Sequence, residues 1–170
     1  MNRAYFVPMI LHIARREEWE AAQAAGDYRA DTLLTEGFIH CSTPAQVLGP
    51  ANALFHGQSD LMLLVIEPAR LAARLADCPV AMITLVDTDR QWFKASHGVG
   101  ARQSPRSISF CAHTILHDAP MMVSDLRLDP RFAGNPMVAE PHNMRFYAGH
   151  PITHAGCRLG TVCVADRQPR

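Results

Sequence analysis

The sequence predicts an α/β (α+β) protein whose central sheet is mainly antiparallel and carries flanking helices. Residues 68–77 have the apolar spacing of a helix, and residues 80–86 form a continuous apolar run of strand length, so a helix passes directly into a strand. Beyond residue 87, strand-like segments follow one another with turn residues between them. Strands joined by short turns pair antiparallel, which is why we expect a mainly antiparallel sheet.

Composition argues against several classes of partner. The 170 residues include 16 basic and 16 acidic side chains, so no net field attracts nucleic acid or an anionic membrane. The apolar run at residues 61–66 is too short to cross a bilayer, and the N-terminal run has no cleavage-site pattern. Five cysteines without a C-x-x-C pair indicate reduced thiols in a cytoplasmic protein. We expect no nucleic-acid partner and no membrane partner.

The N-terminal half alternates strands with helices. Residues 1–14 contain a first apolar strand, and residues 17–26 begin with acidic residues and end in glycine, as a helix does. Thr43 and Pro44 have the order of an N-cap and a first-turn proline, which predicts a helix through about Leu54. Further strands are predicted at residues 38–42 and 61–66. The latter is apolar on both faces and is therefore expected to be central in its sheet.

The C-terminal half consists mainly of strands and turns. The helix over residues 68–77 has Leu71 and Leu75 on one face, and Ser109 is expected to cap a short helix over residues 110–116. We expect the strands before and after the 68–77 helix to share one continuous sheet, because that arrangement leaves fewer apolar faces uncovered. Residues 98–107 are expected to form a flexible, basic loop. The predicted strands are residues 80–86, 91–97, 121–125, 145–152 and 159–166, of which the last two form a hairpin.

Ordered motifs in the C-terminal half resemble a known family. Among them are Ser109-Phe-Cys-Ala-His-Thr-Ile115, Arg145-Phe-Tyr-Ala-Gly-His-Pro-Ile152 and Leu159-Gly-Thr-Val-Cys-Val-Ala-Asp166. From about Leu71 to Arg170 the chain resembles the GAF family of sensory domains, although the final helix that this family normally has is not expected. The resemblance implies helices on one face of the sheet and a lidded ligand pocket on the other. The ligand-binding residues that it implies are Phe110, His113, Asp125, Phe146 and Tyr147.

The N-terminal half resembles a different family. The segments Ile10-Leu-His-Ile-Ala14 and Glu36-Gly-Phe-Ile-His-Cys-Ser-Thr43 are similar to the bacterial domain-of-unknown-function 952 family, of which residues 9–71 cover about two thirds. Its members are similar in fold to ADP-ribosyltransferases. The positions that the resemblance implies for a catalytic site are His12, His40, Ser42 and Thr43. The chain is therefore expected to be a chimera, natural or engineered, with a partial ADP-ribosyltransferase-like segment at 1–70 and a GAF-like domain at 71–170.

Several candidate sites have structural alternatives. His12 and His40 near Ser42 suit a nucleotide pyrophosphate or ribose, but a histidine in a short strand is more often a hydrogen-bonded core residue. Cys111 and His113 suggest a metal pair or a bilin-attachment thiol. A metal site needs three or four converging ligands, and no second cluster has matching spacing, so we expect no metal. No cofactor is identified.

The sequence leaves three functions open. The leading prediction is a non-enzymatic sensory or regulatory module of the GAF type that binds a small molecule. The alternatives are an ADP-ribosyltransferase-like enzyme that binds NAD through His12, His40 and Ser42, and a recombined chain without selected activity. Because the expected final helix is missing, an apolar face is predicted to be exposed, and a homodimer is possible.

Overall fold

The computed structural model describes residues 9–170, and they fall into two compact units. One unit ends at Glu67 and the other begins at Pro68. Each unit has a sheet of its own. The expectation that the strands on either side of the 68–77 helix share one continuous sheet is therefore wrong. The part of the predicted first strand that falls on residues 1–8 lies outside the described residues.

The first unit is built on a two-stranded antiparallel sheet. Strands β1 (Ile10–Arg15) and β2 (Leu61–Ile66) pair along their whole length. The helices are α1 (Arg16–Ala25), α2 (Asp31–Thr35) and α3 (Leu48–Leu54). Helix α1 ends where predicted, because Gly26 adopts the left-handed conformation with φ of 75°.

Two strand predictions for the first unit are wrong, and one helix prediction is right only at its end. Residues 38–42 form no strand; the segment contacts β1 through Ser42, which exchanges two backbone hydrogen bonds with Leu11, and through the backbone oxygen of His40, which lies 2.7 Å from His12 Nδ1. Helix α3 ends at Leu54 as predicted but begins four residues after Pro44; the Thr43 hydroxyl donates to the Gln46 side chain and caps no backbone N–H. Strand β2 is not central. Among residues 9–170 it pairs only with β1, and its Leu63 and Val65 are 50% and 59% exposed.

The second unit contains a six-stranded sheet in which all pairs are antiparallel, which confirms the predicted fold class. The strand order is β5-β4-β3-β8-β7-β6. Its strands are β3 (Val80–Val86), β4 (Arg90–His97), β5 (Gln103–Pro105), β6 (Met121–Val123), β7 (Phe146–His154) and β8 (Cys157–Asp166). Its α-helices are α4 (Pro68–Leu75) and α5 (Phe110–Thr114). The segment expected to be a flexible loop instead holds β5 and a 3₁₀ turn over Arg106–Ile108.

The hairpin of β7 and β8 is confirmed and has a local cause. Its turn residues Ala155 and Gly156 have φ of 48° and 77°. Positive φ at both central residues is typical of the two-residue turn whose twist matches that of the strands. The hairpin fixes the register in which Tyr147 lies opposite Ala165 and Gly149 lies opposite Cys163. Of these four residues, Tyr147 and Ala165 line the candidate site.

Helix α4 packs through small side chains. Ala69 and Ala73 are buried, whereas Leu71 and Leu75 are 44% and 79% exposed. The helix contacts β3 and β4. Alanine lets a helix approach a sheet closely, so the leucine face that the sequence singles out lies on the outside of this unit.

The core of the second unit lies between the sheet, α5 and the turn-rich segment at 124–145. Phe110 of α5 is central, with its ring 5.2 Å from that of Phe132 and 5.5 Å from that of Tyr147. Each such tilted or edge-on aromatic pair contributes about 0.5–1.5 kcal/mol to stability, in addition to the energy gained from burying its apolar surface. Leu126 and Val138 complete the cluster from the turn-rich segment. This packing fixes α5 over the sheet.

Candidate functional site

A cavity of about 420 Å³ lies in the second unit. Its floor is formed by β3, β4, β7 and β8, and its walls by α5, residues 98–105 and residues 137–144. The lining is mostly apolar, with a few polar groups, as is typical of small-molecule sites. The polar side chains of the lining are Gln91, Gln103, Ser104, Ser109, Cys111, His142, Tyr147 and Arg167.

A chain of buried hydrogen bonds connects β4 to α5 at the cavity. The Ser109 hydroxyl donates to the side-chain oxygen of Gln91, and the Gln91 amide donates to Cys111 Sγ at 3.1 Å. Ser109 also caps α5, as predicted, because its Oγ accepts the backbone N–H of Ala112 at 3.1 Å. The cap therefore also orients the polar groups at the cavity.

Tyr147 closes this network from β7. Its hydroxyl is hydrogen-bonded with Thr114 Oγ1 at 2.8 Å and donates to Cys111 Sγ at 3.4 Å. The tyrosine ring lies over Gly149, where an added Cβ would come within 2.3 Å of the hydroxyl. Burial, followed by the nearby charge on Cys111, raises the pKa of Tyr147 well above its usual value. The hydroxyl therefore stays protonated and serves as a donor.

Cys111 is an unusual thiol. Its Sγ lies 3.6 Å from Cys163 Sγ, and both residues are buried. Burial raises the pKa of Cys111, but hydrogen bonds from Cys163, Thr161, Tyr147 and Thr84 outweigh burial and lower the pKa to about 6. The hydrogen bond to Cys111 and burial raise the pKa of Cys163 well above its usual value. Within this pair, hydrogen bonding therefore favours the negative charge on Cys111 over Cys163.

The structure brings together two of the five ligand-binding residues predicted for the GAF-like half. Phe110 and Tyr147 line the cavity. Phe146 is buried, but the alternation of β7 turns it to the face opposite Tyr147. Its side chain therefore belongs to the other side of the sheet.

Asp125 and His113 lie outside the cavity lining. Asp125 forms two hydrogen bonds with the guanidinium of Arg145, which lower the pKa of the carboxyl to about 2. His113 lines a separate, open hollow, and its ring centroid lies 4.8 Å from that of Phe132. Burial, and then the charge of Arg131, lowers the pKa of His113. Both side chains thus have structural partners, and their ligand-binding roles stay predictions.

Sequence reasoning missed three residues at this site, namely Gln91, Ser109 as a side-chain hydrogen-bond donor, and Cys163. Gln91 belongs to an alternating strand, of which Gln91 and Phe93 line the cavity. Cys163 lies between Val162 and Val164 on a largely apolar strand, so its sequence neighbours do not indicate a functional residue. The signal that identifies both residues is the pairing register of β3 with β4 and β8, which a single sequence does not contain.

The first unit has a cavity of its own, of about 380 Å³. The sequence-predicted residues His12, His40 and Ser42 line it, whereas Thr43 does not. His12 is buried, with Nδ1 2.7 Å from the backbone oxygen of His40 and Nε2 2.7 Å from the hydroxyl of Tyr28. Both of its ring nitrogens therefore have partners within the protein, as a hydrogen-bonded core histidine does.

His40 lies at the outer side of this cavity. Its Nε2 is 2.9 Å from a carboxylate oxygen of Glu36, and both side chains are about half exposed. In the part of the chain from residue 9 onward, no group of three or more His, Cys, Asp or Glu side chains is arranged to hold a metal ion. The same residues include no helix with the length and apolar character that crossing a membrane requires.

Two family profiles match the chain. A profile described as a protein of unknown function, DUF952, matches residues 13–93, and the GAF domain profile matches residues 63–170. The matches overlap at residues 63–93, which include part of β2, all of α4 and β3, and part of β4. Both resemblances predicted from the sequence are confirmed.

A curated relative is a cyclic di-GMP phosphodiesterase of Pseudomonas aeruginosa. It is 50% identical over 93 residues, which are 54% of this chain but only 16% of the relative. Because the matched 93 residues are part of an enzyme in that relative, the prediction that this chain has a non-enzymatic function is wrong.

The solved structures to which this chain is similar include a reductase and a GAF domain. A type II free methionine-R-sulfoxide reductase from Thermoplasma acidophilum has a TM-score of 0.48 and 10% identity, with coverage of 60% of this chain and 71% of that one. The GAF domain of an Acinetobacter phosphoenolpyruvate-protein phosphotransferase has a TM-score of 0.47 and 18% identity, with coverage of 61% and 63%.

Proposed function

Because this chain belongs to the GAF domain family, we propose that it acts in cyclic di-GMP hydrolysis as the ligand-responsive part of a phosphodiesterase. A small molecule occupies the cavity of the second unit and changes the rate of hydrolysis. The observation that carries the proposal is the cavity itself, in a chain that is 50% identical over 93 residues to an enzyme of this activity.

The properties of the cavity favour a small, largely apolar ligand with one or two polar groups. Its volume of about 420 Å³ falls within the roughly 300–1,000 Å³ that is usual for ligand pockets. The Gln91 and Ser109 side chains bond to each other, so a ligand binds most readily where Gln103, Ser104 and Arg167 offer further polar groups at the rim. Five cysteines without a disulfide among the described residues support a cytoplasmic site of action.

The first test is direct binding by the whole chain. Native mass spectrometry of the purified protein detects a retained small molecule, and calorimetry with cyclic di-GMP, GMP and a set of amino acids and organic acids measures affinity. Ala101→Trp fills the cavity from its exposed rim, so we expect it to weaken binding at least about tenfold. Ala133→Trp is the matched control, since Ala133 is exposed and outside the lining. Equal affinity in the two variants would refute the cavity as the site.

The second test concerns hydrolysis. A chimera that carries this chain in place of the matching segment of the Pseudomonas phosphodiesterase is assayed for conversion of cyclic di-GMP, with and without the ligand found in the first test. We expect the ligand to change the rate about fivefold or more, as is usual for coupled sites. The Ala101→Trp chimera should retain the basal rate and lose the response. A rate that is independent of a ligand shown to bind would contradict the regulatory role.

Self-association is a separate prediction. A homodimer was expected from an exposed apolar face, and Leu75 on α4 is among the most exposed apolar side chains of the second unit. Sedimentation velocity at several protein concentrations tests it. A single monomeric species throughout would remove the homodimer from the account.

A further inference from the structure

The two buried thiols at the cavity are in contact with each other. Cys111 lines the cavity, and its Sγ lies 3.6 Å from the Sγ of Cys163 on β8. Cys163 is buried and does not belong to the lining, so it lies behind Cys111 as seen from the cavity. A reagent in the cavity therefore contacts Cys111 first, and the sulfur nearest to the Cys111 sulfur is that of Cys163.

The surroundings of Cys111 favour a thiolate. Its sulfur accepts hydrogen bonds from the Gln91 amide and the Tyr147 hydroxyl, at 3.1 and 3.4 Å. The hydroxyls of Thr84 and Thr161 lie 3.1 Å apart on the neighbouring strands β3 and β8. Hydrogen bonding from both also lowers the pKa of Cys111. A set of donors around one sulfur stabilises the charged form without a cationic side chain, and the thiolate is the nucleophilic form of cysteine.

The other cysteines lack this arrangement. Cys41 and Cys157 are exposed, and Cys78 is buried in a different part of the second unit. Burial raises the pKa of Cys78 and of Cys41, which keeps both as thiols. Reactivity toward oxidants follows thiolate character and access. Hydrogen bonding to its sulfur supplies the first requirement for Cys111; for the second, the residue is only 1% exposed but lines the cavity, which is the route by which a small reagent approaches its sulfur.

We propose that Cys111 and Cys163 form a peroxide-reactive dithiol, in which Cys111 attacks a hydroperoxide in the cavity and Cys163 resolves the product to a disulfide. This goes beyond the proposed function and needs no cavity ligand. In the first step the Cys111 sulfur forms a bond to one peroxide oxygen, the O–O bond breaks, and an alcohol or water leaves after taking up a proton. Cys111 is oxidised to the sulfenic acid, and the peroxide is reduced.

In the second step the Cys163 sulfur attacks the Cys111 sulfur. The S–S bond forms, the S–O bond breaks, and the hydroxyl leaves as water with the Cys163 proton. The sum is two thiols and one hydroperoxide converted to one disulfide, one alcohol or water, and one water. The two sulfurs need to approach by on the order of 1.5 Å. Because the Tyr147 hydroxyl then loses its thiolate acceptor, oxidation would also change the polar lining of the cavity.

Peptide mapping after peroxide treatment tests the proposal. The whole chain is exposed to hydrogen peroxide in its folded state, the remaining thiols are alkylated, and the protein is digested with trypsin. Cys111, Cys157 and Cys163 fall on three different peptides, residues 107–127, 146–158 and 159–167. We expect a cross-linked 107–127/159–167 pair that dithiothreitol separates, with Cys111 oxidised at least about tenfold faster than Cys157.

Variants separate the two roles. In the Cys163→Ser variant, dimedone should label Cys111 as a sulfenic acid. In the Cys111→Ser variant, Cys163 should stay reduced. The Cys157→Ser variant is the control and should form the cross-link as the unaltered chain does. The unaltered chain alone decides the question even if a core variant fails to fold. Oxidation of Cys157 with neither the cross-link nor a dimedone adduct on Cys111 would overturn the proposal.

Discussion

Removal of the Tyr147 hydroxyl tests the buried network most sharply. In the folded protein this hydroxyl is hydrogen-bonded with Thr114 at 2.8 Å and with Cys111 at 3.4 Å, and the tyrosine side chain is fully buried. Tyr147→Phe keeps the ring, but the buried Thr114 hydroxyl and Cys111 sulfur each lose one hydrogen-bond partner. Such a loss costs about 1–3 kcal/mol. That is a large part of the roughly 5–15 kcal/mol by which a domain is stable.

Unfolding in urea measures this cost. Trp19 lies in the first unit and Trp92 in the second, so a Trp19→Phe background makes tryptophan fluorescence report on the second unit alone. In that background Tyr147→Phe should lower the urea midpoint by an amount equivalent to about 1–3 kcal/mol. Tyr28→Phe is the control, because Tyr28 bonds to His12 in the first unit and should leave the Trp92 transition unchanged.

A double-mutant cycle with Thr114→Val sharpens the test. Because removing both partners leaves fewer unsatisfied groups than removing one, the double variant should be destabilised by less than the sum of the single variants. A destabilisation below about 0.5 kcal/mol for Tyr147→Phe, or strict additivity in the cycle, would refute the reasoning.

Three further variants probe the same unit. Arg145 lowers the pKa of the Asp125 carboxyl, so the stability that this carboxylate contributes is present above about pH 4 and is lost toward pH 2. The Asp125→Asn variant should therefore show a flatter pH dependence of the urea midpoint between those two pH values. Ser109→Ala removes the cap of α5 and should cost about 1 kcal/mol by the same assay, while Ser107→Ala, exposed, should cost far less. Gly149→Ala places a Cβ against the tyrosine hydroxyl and should destabilise by about 1–3 kcal/mol; an unchanged midpoint would contradict that contact.

The elements with strong local signals were predictable from the sequence. The β7–β8 hairpin, the helix that ends at Gly26 and the Ser109 cap all follow from residues within a few positions of one another. The antiparallel sheet of the second unit follows from short strands joined by turns. Phe110 and Tyr147 were found at the cavity because an ordered set of motifs places them there.

Predictions that depended on distant packing were wrong or missing. Residues 38–42 have a strand-like alternation, but among the described residues their ladder pairing is a single bridge between Ser42 and Leu11. The sequence places Leu71 and Leu75 on one face of α4, but that face is exposed and the buried side chains of the helix are Ala69 and Ala73. The contact of Cys111 with Cys163 joins residues 52 positions apart through the register of β8, and no local pattern reveals it.

The account rests on a ligand in the cavity of the second unit, and amide NMR spectroscopy tests that most directly. Spectra of the labelled chain are recorded with and without the small molecule identified by native mass spectrometry. The account predicts that chemical-shift changes concentrate in residues 98–105 and around Gln91, Ser109 and Cys111. Changes that cluster around His12 and Tyr28 instead, or spectra that do not change at all, would contradict it.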